Sequence, residues 1–178
     1  MKAYIVTEGQ SDSEILKRLL PPEITSHVEF LIGGGRYSIQ SFARTLLVVK
    51  QLPVAIVIDA DTEDTPSIEE QRHNLYDLLN QVSPGIPFDV FFAVPEIESV
   101  FFQNRELLEE ILDHPFTDVE WEMGKRHPKE ILQTILGTSS TPVYDILGHL
   151  SDKAVAVLRS HPLIRQIEGF LSSVAILS

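Results

Sequence analysis

Residues 54–58, Val-Ala-Ile-Val-Ile, are apolar at every position and run straight into Asp59-Ala60-Asp61. A run this short with no polar alternation suits a strand covered on both faces, as in a parallel sheet. Parallel strands cannot be joined by tight hairpins and need crossover connections, usually helices. The flanking sequence supplies them. Residues 3–7 are apolar and β-rich. Residues 11–20 follow as a helix, with Ser11 and Glu14 spaced as a capping box and a stripe at Ile15, Leu16, Leu19 and Leu20. Residues 28–32 read as a second strand, ended by Gly33-Gly34-Gly35. Residues 38–49 place Ile39, Phe42, Ala43, Leu46 and Leu47 on one helical face. Thr65-Pro66 reads as the cap and first turn of a helix with a stripe at Ile68, Leu75, Leu78, Leu79 and Val82. Residues 88–94 are a fourth strand.

Strand-helix-strand repeated three times predicts an α/β fold with right-handed crossovers and a mainly parallel central sheet of about four strands flanked by helices. Beyond it, helices are expected at 96–102, 104–112, 128–136, 142–147, 151–158 and 161–174. The stretch 117–124 between them reads as an acidic loop. No linker justifies a second domain. The expectation is an α/β core over 1–102 with a helical C-terminal extension, 103–178, packed on the same domain.

The charge balance narrows the function. The 178 residues carry 26 acids and 14 Lys or Arg, a formal net charge of −12. That argues against binding polyanions through a general basic surface, but not against a phosphate-bearing substrate where metal ions supply positive charge locally. With no cysteine, disulfides, thiolate metal sites and cysteine nucleophiles are excluded. No apolar run approaches the roughly 18 residues of a membrane span; the richest, 46–58, is broken by Lys50, Gln51 and Pro53. The first residues lack the long apolar region of a signal peptide. A cytoplasmic protein without membrane partners is the expectation.

In sheets of this kind ligands bind beyond the carboxyl ends of the strands. After strand one stands Thr7-Glu8-Gly9-Gln10-Ser11-Asp12. After strand two come the three glycines and Arg36. Strand three runs into Asp59-Ala60-Asp61-Thr62-Glu63-Asp64, and strand four into Pro95-Glu96-Ile97-Glu98. If the strands are parallel, these turns share one rim. Asp59 and Asp61, two apart on extended backbone, can point the same way. Two carboxylates held that close repel unless a cation or proton intervenes. Oxygen ligands of this kind suit Mg²⁺ or Mn²⁺, and Glu8 on a flanking strand could complete the metal shell or move a proton. The competing reading is a solvated acidic loop with an aspartate cap on the next helix.

The pairing of Val6-Thr7-Glu8-Gly9-Gln10-Ser11-Asp12 with Val57-Ile58-Asp59-Ala60-Asp61 resembles the TOPRIM domain, the metal-binding catalytic domain of primases, topoisomerases and OLD-family nucleases. Its signatures are an acidic residue followed by glycine after strand one, and Asp-x-Asp after strand three. The resemblance covers about residues 3–102. It is nearest to OLD-type and small stand-alone versions, because Asp12 stands four residues after Glu8 and Pro95-Glu96-Ile97-Glu98 is similar to the segment after their fourth strand. The resemblance implies a Rossmann-like TOPRIM fold and metal-assisted phosphodiester hydrolysis of nucleic acid, DNA ahead of RNA. It implies two Mg²⁺ or Mn²⁺ ions drawn from Glu8, Asp12, Asp59, Asp61, Asp64 and Glu98. Glu8, Asp59 and Asp61 would be catalytic, together with a tail lysine, Lys125 or Lys129. Read from position rather than resemblance, Gly33, Gly34, Gly35 and Arg36 are the candidate substrate contacts at the second turn; the glycines also suit a tight turn, and Arg44 reads as a solvated helix face.

The chain has no phosphate-binding Gly-x-x-x-x-Gly-Lys-Ser/Thr, so the triple glycine is not a P-loop; a partner protein such as an ATPase is among the expectations. The alternatives are a non-catalytic TOPRIM-like module working with a partner and, ranked below it, a haloacid-dehalogenase-like phosphatase. In the latter Asp-x-Asp usually ends the first strand and continues differently from Thr62-Glu63. Glu106 to Glu122 hold seven acids and no Lys or Arg, and should face away from nucleic acid or toward a protein partner.

Overall fold

A computed structural model of the chain describes residues 3–83, 85–137 and 142–176. Four strands, β1 (Ala3–Thr7), β2 (Val28–Ile32), β3 (Val54–Asp59) and β4 (Phe88–Ala93), form one sheet in the order β2-β1-β3-β4. Every pairing is parallel: Ile5 lies opposite Phe30 and Ala55, and Ile56 opposite Val90. The α/β architecture with a four-stranded parallel sheet is therefore as expected.

The crossovers are α1 (Gln10–Leu19) with the short α2 (Pro22–Thr25), then α3 (Arg36–Thr45) continued by a π-helical turn over Leu46–Lys50, then α4 (Thr65–Asn80). A 3-10 helix, Ile97–Gln103, follows β4. The rest is helical: α5 (Arg105–Leu112), α6 (Asp118–Arg126), α7 (Pro128–Leu136), α8 (Pro142–Gly148), α9 (Asp152–Arg159) and α10 (Pro162–Ile176).

Strand pleating divides the core. Ile5, Ala55, Val57, Phe91 and Ala93 pack on one face with Ile15, Leu16 and Leu19 of α1 and with apolar residues from 97 to 174. Tyr4, Val6, Ile56, Ile58, Val90 and Phe92 pack on the other with Ile39, Ala43, Ile68, Leu75 and Leu79 of α3 and α4. The central strands are buried on both faces, which is why β3 reads as an unbroken apolar run.

Three local expectations are corrected. The stretch 117–124 is not a loop: Thr117 caps α6 by accepting from the Glu120 amide, and the Glu120 carboxylate accepts from the Thr117 amide at 2.8 Å. Trp121 of that helix is buried against Phe102 and Phe116. At α1 the reciprocal bond comes from Asp12, whose Oδ2 accepts from the Gly9 amide at 2.9 Å, while Glu14 pairs with Gln10 and Lys17. At α4 the cap is Asp64, not Thr65, because its Oδ2 reaches the Ser67 amide at 3.0 Å.

Candidate functional site

The chain leaves β1 outward to β2 and then crosses back to β3 on the other side of β1. The connections diverge between β1 and β3, and that crevice beyond the carboxyl ends is where doubly wound sheets take ligands. Asp59 is the last residue of β3, and Glu8 directly follows β1. Pleat parity separates them. Asp59 follows Ala55 and Val57 toward α1 and the C-terminal helices; Glu8 follows Tyr4 and Val6 toward α3.

On the first side, Oδ1 of Asp59 accepts from the Ile97 amide at 2.9 Å. Burial, then the negative charges of Asp12 and Glu98, push the Asp59 carboxyl up to about 8, against the opposing pull of Lys129 and the Ile97 amide. Glu98 is 1% exposed, and burial raises its pKa as well. Its Oε2 has no hydrogen-bond partner, while Oε1 stands 3.7 Å from Nζ of Lys129. Lys129 lies in the first turn of α7. Its own amide donates to Oε2 of Glu96 at 3.2 Å, which fixes where the helix begins relative to the turn after β4. Burial disfavours the Lys129 charge, but Glu98, Asp59, Glu96 and Asp12 outweigh it and raise the pKa. Asp12 is buried at the start of α1, where the Ser11 hydroxyl donates to its Oδ1 at 3.2 Å.

On the second side, Glu8 is half-buried and its Oε1 has no partner. Burial raises its pKa; Arg36 opposes that, and Asp61 and Asp12 add to it. Arg36 opens α3. Its Nη2 donates to the carbonyls of Asp59 at 3.0 Å and Ala60 at 3.4 Å and to Oδ2 of Asp61 at 3.3 Å, and Nη1 bonds Gln71. The extended backbone that would have aligned Asp61 with Asp59 ends at the strand: Asp61 adopts φ 55° and turns to Arg36, with its side chain 66% exposed. The glycine turn folds back on β1, since the Gly33 amide donates to Thr7 at 2.8 Å and the Gly34 amide to Glu8 at 3.0 Å. Gly34 (φ 76°) and Gly35 (φ 142°) take conformations that side chains resist.

Two further candidates lie apart. Asp64 is occupied as the α4 cap. Lys125, exposed on α6, pairs with Glu122 at 2.7 Å and lies over the Trp121 ring. Of the two lysines, the fold brings Lys129 to the carboxylates. Glu96, which sequence reasoning left out of the candidate set, holds the backbone of Lys129; its place in the turn after β4 was the available signal.

Among the described residues, no three carboxylate or imidazole groups converge as a ready-made metal cage. The donor chemistry nevertheless fits a hard divalent cation. Two buried carboxylate oxygens, Oε1 of Glu8 and Oε2 of Glu98, lack any donor, and the Glu8, Asp59 and Glu98 carboxyls hold protons more tightly than usual. Mg²⁺ needs only one or two protein carboxylates, with waters and substrate phosphates completing its shell.

No protein-family model matches the chain, and no curated protein matches it significantly. Solved structures do. The C-terminal region of the Xanthomonas campestris pv. campestris OLD protein superposes with a TM-score of 0.57 at 12% identity, covering 98% of this chain and 96% of that one. The C-terminal region of the Burkholderia pseudomallei OLD protein gives 0.54 at 13% identity, covering 97% and 98%. The chain has the fold of these regions, as the resemblance read from Glu8-Gly9 and Asp59-x-Asp61 implied. The likeness extends past residue 102 through the C-terminal helices.

Proposed function

We propose that the protein is a metal-dependent phosphodiester hydrolase of nucleic acid, a TOPRIM-type nuclease. The observation that carries this is the meeting of Asp59, Glu98 and Lys129 beyond the ends of β3 and β4, with a buried carboxylate oxygen left without a donor. Carboxylates arranged this way are destabilised unless a cation or a proton joins them.

In this reading Asp59 and Glu98 would hold one Mg²⁺ or Mn²⁺ ion, with the charge of Asp12 nearby, and Glu8 with Asp61 would hold a second. Ions bound there would supply polarisation of the scissile phosphate and an activated water. Lys129 offsets charge developing on the phosphate oxygens in the transition state. Glu8, whose pKa is raised by burial, takes or returns a proton at its free Oε1. Arg36, already bonded to Asp59 and Ala60, holds the β3 turn in place and contacts substrate from the α3 side. The same reading takes 103–178 as an extension of the 1–102 core within one domain. It is supported by the apolar cluster that joins Ile164, Ile167 and Leu171 to Phe91 and Val57.

The test is incubation of purified protein with supercoiled plasmid and with single-stranded DNA and RNA, in Mg²⁺, Mn²⁺ or chelator. Metal-dependent cleavage lost in Asp59→Ala, with an unchanged circular dichroism spectrum, is the expected result. Equal cleavage by that variant would sink the assignment. The absence of a preassembled three-residue ligand set among the described residues favours a second reading, a non-catalytic module that acts with a partner protein such as an ATPase. No thermal shift with millimolar Mn²⁺ would select it.

A further inference from the structure

The chain's acids are distributed unevenly in a way the site does not explain. Between Glu29 and Asp59 no acid occurs, while Arg36, Arg44 and Lys50 do, in a chain of net charge −12. That stretch is β2, the glycine turn, α3, the π-helical turn and β3. Its solvent face is a groove of about 450 Å³ between α3 and α4. Tyr37, Gln40, Ser41, Arg44 and Thr45, each with a side-chain donor group, line it at the helical spacing of one face beside apolar Val48, and no carboxylate lines it. Tyr37 is 91% exposed, and no ion pair among the described residues takes up the charge of Arg44 or Lys50. The groove begins one residue from Arg36, whose guanidinium touches the β3 turn.

We infer that the α3 face binds a single strand of nucleic acid and delivers it to the carboxylate rim. A strand lying along α3 meets Arg36 at the rim and Arg44 about 12 Å farther along the helix axis. An aromatic ring presented to solvent beside cations gives an unpaired base a stacking platform that a duplex cannot use. Outside this face the negative surface repels a bulky duplex, whereas a single strand fits within this acid-free groove. The inference deepens the nuclease reading by naming the substrate as single-stranded, and its test separates the two.

Fluorescence anisotropy of a labelled 20-nucleotide single-stranded DNA is followed with the full chain in chelator, where cleavage does not occur, across 20 to 200 mM KCl. Wild-type protein binds, and binding weakens with salt. Arg44→Gln lowers the slope of log K against log salt by about 0.7, the value of one phosphate contact on a single strand. Arg44→Glu weakens binding at least fivefold. Tyr37→Ala weakens it about fivefold or more with the salt slope unchanged. These variants alter exposed side chains, and circular dichroism confirms their folding. Single-strand binding with no cleavage leaves this inference standing while the hydrolase reading falls. Metal-dependent cleavage with binding indifferent to Arg44→Glu and Tyr37→Ala overturns the inference and spares the hydrolase. No binding by wild type at low salt overturns it too. So does a dimer in sedimentation that Tyr37→Ala dissociates without affecting the oligonucleotide.

Discussion

Nζ of Lys129 stands 3.7 Å from Oε1 of Glu98, a carboxylate 1% exposed whose other oxygen has no donor. The ammonium is thus held by a side chain that has no other cation in contact among the described residues. Lys129→Met is expected to lower cleavage about 10²-fold, the scale of losing one stabiliser of developing charge. Lys125→Met should leave initial rates within about twofold, since Lys125 is engaged by Glu122 on an exposed helix face. Equal losses in the two variants would contradict the arrangement.

Asp59 makes metal-free stability depend on pH. Its carboxyl titrates at about 8 in the folded protein against an ordinary 3.8. Below the lower value both states are protonated, and the stability is full. Between the two values the unfolded chain has released a proton that the folded one still binds, so stability falls as pH rises, and above about 8 the loss is constant. Asp59→Asn keeps the oxygen that receives the Ile97 amide and removes the titration. In chelator it should raise Tm by more than about 4 °C at pH 8.5, with the difference closing toward pH 4. A pH-independent difference in differential scanning fluorimetry would contradict this.

Asp64 and Asp59 should separate in their response to metal. Asp64→Ala removes the α4 cap and is expected to cost about 1 kcal/mol in urea unfolding. Mn²⁺ at a hundred times its Kd should still stabilise that variant by about 2.7 kcal/mol. Asp59→Ala should lose the Mn²⁺ response. Loss in both would make Asp64 a ligand.

Gly124 lies where a Cβ would come within 2.0 Å of the Phe102 ring. Gly124→Ala is expected to destabilise by about 1–3 kcal/mol through overpacking, read as a lowered urea midpoint. Adding Phe102→Leu should recover part of that loss; no recovery would place the strain elsewhere.

Much of this was legible because each signal was local. Residues 3–7 and 28–32 are the observed strands, and β3 and β4 differ from expectation by one residue. Unbroken apolar runs are hard to misread when both sheet faces are covered. The α6 helix was hidden because seven acids between Glu106 and Glu122 suggested solvent, although Thr117 and Glu120 carried the spacing of a capping box. Asp61 followed from pleating only while the backbone stayed extended, and the left-handed residue there ended the alternation. The choice between Lys125 and Lys129 rests on how α7 docks against the turn after β4, a tertiary contact that spacing along the chain does not encode.

The division of the sheet into two apolar faces also sets an order in time. The face built on Tyr4, Val6 and Ile56 closes with residues up to 92, whereas the face bearing Ile5, Val57 and Phe91 depends on side chains as late as Val174. At ribosomal speeds of 5–20 residues per second, the 103–178 segment takes roughly 4 to 15 s to emerge. Through that interval one side of the sheet is covered only by α1 and the residues that follow β4, and Asp59 waits without Lys129. The nascent segment is therefore sticky on that side until residues 103–178 have followed it.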